Sequence, residues 1–349
     1  MDLKVFLKRA VEKKASDLHI TADSVPIVRI DGRLIPLSDF PKLNKEDCKR
    51  LIYSMLNDRQ KATFEKELEL DFSLEIPGLN RFRVNVHIQR GSVEAAFRLV
   101  SLNIKTITEL GLPDIVTKLC DKTQGLILVT GPTGVGKTTT LAAMVDLINN
   151  KRQAIIIVIE DPIEYVHLNK RSVVKQREVY SDTRSFTASL THALRQDPNV
   201  IVVGEMRNLE TISTALTAAE TGHLVLATLH TPNASQTIDR IIDVFPPYQQ
   251  QQVKIQLAGT LQAVISQQLL PRKGSGGRVL ATEIMIATPA IRNLVREHET
   301  EQLLTHIQTG FQYGMHTMDK SLKALFQKGI IDEEVFKTYI RNPDEVRNL

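Results

Sequence analysis

The chain has 349 residues, 42% of them hydrophobic and 24% charged, and no Trp; this ordinary globular composition excludes a disordered chain, a collagen-like repeat and a disulfide scaffold. Its 44 basic and 40 acidic residues give a net charge of only +4, without the concentrated basic block that is typical of nucleic-acid binding proteins. The longest apolar run, Ala154–Ile159, has six residues, whereas a membrane-spanning helix needs about 20.

The first hundred residues have the pattern of a small α+β domain. Leu3, Leu7 and Ala10 stand at helical spacing and predict an opening helix. Residues 44–66 also favour helix, with Asn44 or Asn57 as the cap. Extended segments are expected around turn signals such as Asp31-Gly32. The predicted strands are Val25–Ile30, Arg33–Leu37, 70–76, 81–89 and 92–100.

From residue 114 onward the pattern changes to strands that alternate with helices. Short continuous apolar runs are typical of strands covered on both faces, as in a parallel sheet, and helices between them predict crossovers. The final third is expected to be mostly helical, interrupted by a flexible turn at 273–277. The predicted strands are Leu126–Thr130, Ile155–Ile159, Val200–Val203 and Leu224–Thr228, and the predicted helices are 137–149, 185–195 and 209–221.

We therefore predict an α/β protein with two domains. The first occupies residues 1–100, an interdomain linker follows at 101–113, and the second domain occupies residues 114–349.

A glycine-rich segment after the first of these strands carries the strongest chemical signal. Gly-Pro-Thr-Gly-Val-Gly-Lys-Thr matches the phosphate-binding pattern G-x-x-x-x-G-K-[ST], between a predicted buried strand and an amphipathic helix. Its glycines let backbone N–H groups wrap phosphates, and the helix N-terminus adds positive potential. Lys137 can reach the β- and γ-phosphates, and Thr138 can ligate Mg²⁺. The expected nucleotide-binding residues are Gly131, Pro132, Thr133, Gly134, Val135, Gly136, Lys137, Thr138 and Thr139.

Two acidic segments follow predicted strands, at the sheet edge where ligands bind in such folds. Glu205 is a candidate for holding Mg²⁺ through water or for polarising the attacking water; a solvated side chain at a strand end is the alternative. Glu160, Asp161 and Glu164 lie within five residues, and carboxylates this close favour a shared cation or proton. An exposed acidic turn is the alternative for this second segment.

A histidine stands near each end of the fourth predicted strand. His223 and His230 are seven positions apart, so they point to opposite sides of the pleat and a shared metal is not expected. His230 follows the carboxyl end and is a candidate contact for the γ-phosphate. The role of His223 stays open, and a purely structural histidine is the alternative for both.

The glycine-rich loop, the acidic segment at 160–164, the strand that ends before Glu205 and the strand between His223 and His230 follow one another along the chain. The ATPases of type II secretion and type IV pilus systems have these four segments in the same order, and the chain resembles that family over essentially its whole length. The resemblance is most specific at 290–297, Ala-Ile-Arg-Asn-Leu-Val-Arg-Glu, which is similar to a segment of the pilus-retraction branch. Secretion and extension relatives usually carry a cysteine-rich metal insertion, and this chain has only two cysteines. Asn208 stands where the family commonly has an Asp. Further similar segments are Ala15–His19, Gly78–Asn85, Gln176–Val179 and Thr217–His223.

The resemblance implies a PAS-like N-terminal domain and a RecA-like P-loop ATPase domain with a helical C-terminal part. It also implies a homohexameric ring that uses ATP and Mg²⁺ to retract type IV pili and drive twitching motility. Such a ring would work in the cytoplasm at the inner face of the cytoplasmic membrane, at the pilus base. Its expected partners are an inner-membrane platform protein and a paralogous retraction ATPase, with no nucleic acid and no insertion into the membrane.

The same resemblance places catalytic arginines in the first domain. An arginine supplied from a neighbouring domain stabilises the charge of a phosphoryl-transfer transition state, and Arg83 and Arg98 are the candidates, with Arg81 third. Ordinary surface charge is the alternative for each of them.

Residues 290–297 have a second interpretation as a helix with one apolar face. Ile291, Leu294 and Val295 follow i, i+3, i+4 spacing, and this face would contact either a partner or the protein's own core. The candidate residues in this segment are Ala290, Ile291, Arg292, Asn293 and Leu294.

Other functions remain open alongside retraction. Within the family they are a pilus-extension or type II secretion ATPase, or an accessory retraction paralogue. From other classes they are a nucleic-acid translocase on the same core, against which the even charge distribution argues, and a nucleotide-bound structural ring, against which the intact acidic residues argue.

Overall fold

The computed structural model describes residues 2–30, 32–100, 103–274 and 276–342. The chain divides into two compact units, residues 1–102 and 103–349. Three parts of the predicted pattern lie outside the described residues: Asp31 of the first turn, Ser101 and Leu102 of the linker, and Ser275 of the glycine-rich turn.

The described part of the first unit is an antiparallel sheet with helices packed on one face. Its strand order is 3-2-1-6-5-4. Its elements are α1 (Leu3–Glu12), β1 (Asp17–Ile20), β2 (Ile27–Ile30), β3 (Arg33–Pro36), α2 (Lys45–Tyr53), α3 (Asp58–Glu67), β4 (Glu69–Ile76), β5 (Asn80–Gln89) and β6 (Ser92–Leu99).

The helical region predicted at 44–66 is two helices, because both candidate caps are used. Asn44 and Asn57 each form a capping box with the third residue of the helix that follows, at α2 and α3. Strand β1, which pairs with both β2 and β6, was not among the predicted strands.

The sheet of the first unit separates its core from the candidate arginines. Phe82, Val84 and Val86 of β5 are fully buried in the core of this unit. Because side chains alternate along a strand, Arg81 and Arg83 lie on the opposite face.

The second unit is built on a sheet of the described strands in the order 13-12-7-11-10-8-9, parallel except for the edge strand β13. Its first elements are α4 (Asp114–Leu119), β7 (Gly125–Thr130), α5 (Lys137–Lys151), β8 (Ile155–Glu160), β9 (Val173–Glu178), α6 (Phe186–Ala193), β10 (Val200–Val203), α7 (Leu209–Glu220) and β11 (Leu224–Leu229). Its later elements are α8 (Ala234–Asp243), α9 (Pro247–Thr260), β12 (Leu261–Pro271), β13 (Arg278–Ile286), α10 (Pro289–Glu297), α11 (Leu303–Thr309), α12 (Met318–Gln327) and α13 (Glu333–Tyr339).

Helices cover both faces of this sheet, which is why the inner strands β7, β8, β10 and β11 are almost entirely apolar. Alternate residues of β7 enter two different cores: Leu126 and Leu128 pack with residues of α6 to α10, and Ile127 and Val129 pack with residues of α4 and α5. The predicted α/β class, with a RecA-like second part, is thereby confirmed. Within the described ranges, no helix is both long enough and apolar enough to cross a bilayer.

The sheet of the second unit contains strands that were not predicted. Strands β12 and β13 pair antiparallel, within a part of the chain expected to be mostly helical. Strand β9 extends the sheet beyond β8 and contains part of the segment Gln176–Val179.

Candidate active site

The glycine-rich loop connects β7 to α5 and is held tightly against the sheet. A Cβ on Gly131 would lie 2.5 Å from the carbonyl oxygen of Gln267, so this position requires glycine. Gly136, with φ 89°, is the N-cap of α5 and provides no side-chain cap. The first N–H groups of α5 are therefore available to phosphate oxygens.

Lys137, the first residue of α5, is almost completely buried at the base of the loop. Its Nζ donates to the carbonyl oxygens of Gly131 at 2.7 Å and of Pro132 at 2.9 Å. An ammonium group has three donors, so one remains beyond these two bonds. Burial lowers the pKa of Lys137, and the carboxylates of Glu205 and Glu164 oppose that shift. The side chain is thus placed to neutralise an anion in the loop.

Glu205, just after β10, is held by contacts from two directions. Its Oε1 lies 2.7 Å from Nε of Arg207 and 3.3 Å from Nε2 of His230. The other ring nitrogen of His230 lies 3.3 Å from Oγ1 of Thr133. Polar contacts therefore run from the glycine-rich loop through the histidine to the carboxylate.

Glu205 is ionised at neutral pH. Burial alone would raise the pKa of its carboxyl group, but the hydrogen bonds and charges of Arg207 and His230 outweigh burial and hold the pKa below its ordinary value. A carboxylate of this kind can hold a metal-bound water or orient a free water.

The acidic segment after β8 faces Glu205 across the carboxyl edge of the sheet. Glu160 is buried, whereas Asp161 and Glu164 are exposed. Gly204 lets β8 and β10 approach closely, since a Cβ there would lie 3.1 Å from the carbonyl oxygen of Ile159 and 3.3 Å from Cα of Glu160.

A cleft of about 510 Å³ joins these groups within the second unit. It is lined by most residues of the predicted nucleotide-binding loop, by the four predicted acidic residues and by His230: Thr133, Gly134, Gly136, Lys137, Thr138, Thr139, Glu160, Asp161, Glu164, Glu205 and His230. Gly131, Pro132 and Val135 support the loop but are not part of the lining.

The cleft also contains residues that were not predicted as site residues. Arg207 stands two residues after Glu205, and that spacing is its only sequence signal. Arg278, from β13, lies with its guanidinium 3.4 Å from the carbonyl oxygen of Gly134; no local pattern could have indicated it, because the pairing of β13 with β12 brings it across the sheet. Phe186 and Leu269 add apolar surface.

His223 lies away from this cleft. It precedes β11, whereas His230 follows that strand, so the two are about 23 Å apart along an extended chain. Nδ1 of His223 lies 3.0 Å from the carbonyl oxygen of Ala218 and 3.2 Å from Oγ1 of Thr221. These contacts tie it to the end of α7.

The apolar face of α10 packs inside the second unit. Ile291 and Val295 are fully buried and Leu294 is 7% exposed, all within the core that covers one face of the sheet. Arg292 donates to the carbonyl oxygens of Gly259 at 2.8 Å and Ala287 at 3.1 Å, and also to that of Ala258. Of the two interpretations of 290–297, core packing is the one observed for this face.

Asn208 has a local structural role. Its side chain accepts a hydrogen bond from the backbone N–H of Thr211 at 3.1 Å and caps α7. Since Asn and Asp are equally good N-caps, this departure from the family pattern preserves the cap.

The three arginines of the first unit have different surroundings. Arg98 faces Arg83 directly across the β5–β6 pair, and its Nε lies 2.9 Å from Oδ1 of Asp17. Arg81 lies 3.8 Å from Glu75. Within the described part of the chain, the guanidinium of Arg83 forms no hydrogen bond or ion pair, so it is the one of the three available to an external anion.

The donor set of the cleft fits Mg²⁺ bound together with a nucleotide. Among the described residues, no group of three His, Cys, Asp or Glu side chains could hold a metal ion by itself. Mg²⁺ usually keeps several waters and is bound by one or two protein oxygens plus substrate phosphates. The hydroxyl of Thr138 and the carboxylate of Glu205, both in the cleft, are oxygens of that kind.

Comparisons with known proteins agree with this architecture. The sequence profile of the family described as "Type II/IV secretion system protein" matches residues 1–337. A Pseudomonas aeruginosa relative named "Type IV pilus retractation ATPase PilT" is 49% identical over 344 residues, 99% of this chain and 99% of the relative. The "Twitching motility protein" of Neisseria gonorrhoeae is 45% identical over 321 residues, 92% of this chain and 86% of the relative. A structure described as "Crystal Structure of the Pilus Retraction Motor PilT and Bound ADP" has a TM-score of 0.92 at 50% identity and covers 99% of both chains.

Proposed function

The chain belongs to the type II/IV secretion system protein family and is an ATPase, and we propose that it powers the retraction of type IV pili and twitching motility. The observation that carries the proposal is the similarity, over 99% of both chains, to a relative named as a pilus retraction ATPase. The cleft supports it, because Lys137, Thr138 and two acidic segments meet at the end of one parallel sheet.

Within this proposal the phosphates of ATP lie against the loop and the N-terminus of α5. Lys137 directs its third donor to a phosphate oxygen, and the backbone N–H groups of the loop hold the others. Thr138 and Glu205 would hold Mg²⁺, the latter through water. When bound, Mg²⁺ would neutralise phosphate charge and so make the terminal phosphate easier to attack.

Water activation is assigned to Glu205 or Glu164. Glu205 is the better-fixed carboxylate, because Arg207 and His230 restrain it. Glu164 is exposed and is part of the lining of the cleft, so it can approach the nucleotide when the site closes. His230, between Glu205 and Thr133, is placed to respond to the presence of the terminal phosphate.

We further propose a homohexameric ring in which arginines of the first unit complete the site. Arg83 fits this role best of the three, since it has no partner among the described residues of its own unit. Closing of one domain on the next during the ATP cycle would convert binding energy into motion. By family resemblance, the ring acts in the cytoplasm, at the inner face of the membrane, on an inner-membrane platform protein and alongside a paralogous ATPase.

A pilus-extension or secretion ATPase is the second candidate, since the same cleft chemistry can drive either direction of work. The retraction-type segment at 290–297 and the name of the relative that is 49% identical favour retraction. No comparable observation favours a nucleic-acid translocase, since the net charge is +3 over residues 1–110 and +1 over the remainder.

The test is deletion of the gene in the native host, followed by complementation with wild type or with Glu205→Gln. Retraction predicts that the deletion strain carries excess surface pili and does not twitch, that wild type restores twitching, and that Glu205→Gln does not. Cells without pili would contradict retraction and support extension.

A further inference from the structure

The side-chain amide of Gln176 connects the edge strand β9 to the acidic segment. Its Nε2 donates to the carbonyl oxygen of Tyr165 at 2.7 Å, and its Oε1 accepts from the backbone N–H of His167 at 2.8 Å. The same Nε2 lies 3.4 Å from Oε2 of Glu160. One amide thus contacts the acid at the end of β8 and two backbone groups of the segment that follows it.

Glu178, two residues further along β9, binds the acidic segment at Ile163, which precedes the residues held by Gln176. Its side chain is 3% exposed, and its Oε2 accepts from the backbone N–H of Ile163 at 3.1 Å. Residues two apart on a strand project from the same face. Gln176 and Glu178 therefore fix the backbone on both sides of Glu164, at 163 and at 165–167.

The segment is also tied to the phosphate-binding helix. The hydroxyl of Tyr165, the residue next to Glu164, lies 2.9 Å from Oγ1 of Thr139 on α5. Since Thr139 lies two residues after Lys137, the backbone around Glu164 is connected to the loop on one side and to β9 on the other.

From this geometry we propose that Gln176 is a positioning residue for hydrolysis, which sets the placement of Glu164 and Glu160 relative to the phosphates. The inference rests on the proposed ATPase site. Gln176 is not in the lining of the cleft and touches no reacting group, so it acts through the backbone it holds. A displacement of about 1 Å in a catalytic group can cost about 100-fold in rate, and loss of the Tyr165 contact would release the backbone beside Glu164.

The decisive variant is Gln176→Glu, which keeps the size and the acceptor for His167 but replaces the donor with a carboxylate. Near neutral pH that carboxylate would face the carbonyl oxygen of Tyr165 and the carboxyl group of Glu160. Glu178 is a second acidic residue on the same strand face, while Lys175 and Arg177 lie on the other face. The proximity of carboxylates raises the pKa of the introduced acid, and its protonated form is again a donor.

We expect Gln176→Glu to lower kcat at least about 10-fold at pH 8, with KM for ATP within about 2-fold of wild type. As the pH falls to 6, the introduced carboxyl group becomes protonated, so the ratio of the variant's kcat to the wild-type kcat at the same pH should rise towards one. Lys175→Gln, at an exposed position on the other face of β9, should follow wild type throughout. Normal kcat at pH 8, or a loss with raised KM and no recovery at low pH, overturns the proposal.

A second measurement does not depend on turnover. Amide hydrogen exchange of the segment 161–168 should be faster in Gln176→Leu than in wild type or Lys175→Gln, because the N–H of His167 loses its acceptor. Unchanged exchange overturns the positioning role even if ATP is hydrolysed. Absence of hydrolysis by wild type would instead overturn the proposed function, and the exchange result would still decide the role of Gln176.

Discussion

Nε2 of His230 lies 3.3 Å from Oε1 of Glu205, which joins the carboxyl ends of the neighbouring strands β11 and β10. Parallel pairing of these strands, with Val203 opposite Ala227, brings residues that follow each strand to the same edge of the sheet. The contact links the carboxylate proposed to serve Mg²⁺ or water to a side chain that also touches the glycine-rich loop.

We expect Glu205→Gln to retain ATP binding and to lower hydrolysis at least about 100-fold. The amide keeps the shape and one acceptor but removes the charge that the metal or water requires, and loss of one major electrostatic contribution has this scale. Steady-state phosphate release and equilibrium binding of a fluorescent ATP analogue measure the two effects.

Lys137→Ala is the contrasting variant for this prediction. It removes the charge that faces the phosphates, so nucleotide binding itself should weaken. Normal turnover by Glu205→Gln would contradict the role of Glu205 in serving Mg²⁺ or water and would indicate that Glu164 activates the water.

Changes at Arg292 and Arg296 should have different consequences, because the two side chains of α10 have different surroundings. Arg292 donates to backbone carbonyls at the end of α9 and before α10, and hydrogen bonds from charged groups contribute about 2 kcal/mol. Arg292→Ala should therefore lower the free energy of unfolding by about that amount, measured by urea denaturation.

Arg296 is exposed on α10, so Arg296→Glu should change stability by less than about 0.5 kcal/mol. We expect it to keep ATPase activity and assembly and to abolish retraction, scored as twitching in the complemented deletion strain. Parallel loss of ATPase activity and twitching would indicate general structural damage.

His167 should make the second unit sensitive to acid. Its side chain is 8% exposed, Nδ1 has no hydrogen-bond partner within the described ranges, and burial lowers its pKa to about 4. The unfolded chain, with an ordinary histidine pKa near 6.5, binds a proton first as the pH falls. Stability is therefore complete above about pH 6.5 and is lost progressively towards pH 4.

Between pH 7 and pH 5 this histidine should cost about 2 kcal/mol of unfolding free energy. His167→Leu should reduce the difference between the two pH values by that amount, whatever its effect on absolute stability. His192→Gln, at an exposed position, is the matched control and should leave the difference unchanged. Equal pH dependence in wild type and His167→Leu would contradict the assignment.

The parts of the fold that the sequence predicted are those with local causes. The apolar runs at 126–130, 155–159, 200–203 and 224–228 are strands because both faces of the sheet are covered, and each predicted boundary lies within one residue of the observed one. The glycine-rich loop and the acids follow these strands directly, so parallel pairing was enough to bring them together.

Strand β12 was missed because it buries polar side chains whose partners are distant in sequence. Ser266 is fully buried and its Oγ lies 2.9 Å from Oγ1 of Thr130, while Gln267 donates to Oγ1 of Thr140 at 2.6 Å. Polar residues in an apolar run obscure the strand pattern unless their partners are known. Arg278 was missed as a consequence, because it reaches the cleft only through the pairing of β13 with β12.

Arg83→Ala should lower turnover by about 10³-fold or more while leaving ATP binding and folding intact, the scale of an arginine that acts on the phosphoryl-transfer transition state. The family resemblance implies that an arginine of the first unit serves this role. The cleft itself contains Arg278 and Arg207, and Arg207 forms an ion pair with Glu205. This prediction therefore also tests whether these two arginines are enough to stabilise the charge of the transition state.

Arg33→Ala, at an exposed position on β3, is the control for Arg83→Ala. Arg98→Ala is expected to lose turnover as well, but it also breaks the contact with Asp17, so its melting temperature must be measured beside its kcat. Wild-type turnover by Arg83→Ala would contradict its role and would indicate that Arg207 and Arg278 of the cleft stabilise the charge of the transition state.

Hydrolysis should depend on assembly, because the phosphate-binding loop, Glu164, Glu205 and His230 lie in the second unit while the proposed arginine lies in the first. If neighbouring subunits complete each other's sites, the rate per subunit rises with protein concentration over the range in which rings form. Sedimentation measured at the same concentrations as phosphate release should show the two rising together. Arg83→Ala, which should still assemble, would remain inactive at every concentration. A diluted monomer that hydrolyses ATP at the full rate per subunit would show that each chain carries a complete site, and the proposed contribution from a neighbour would then be wrong.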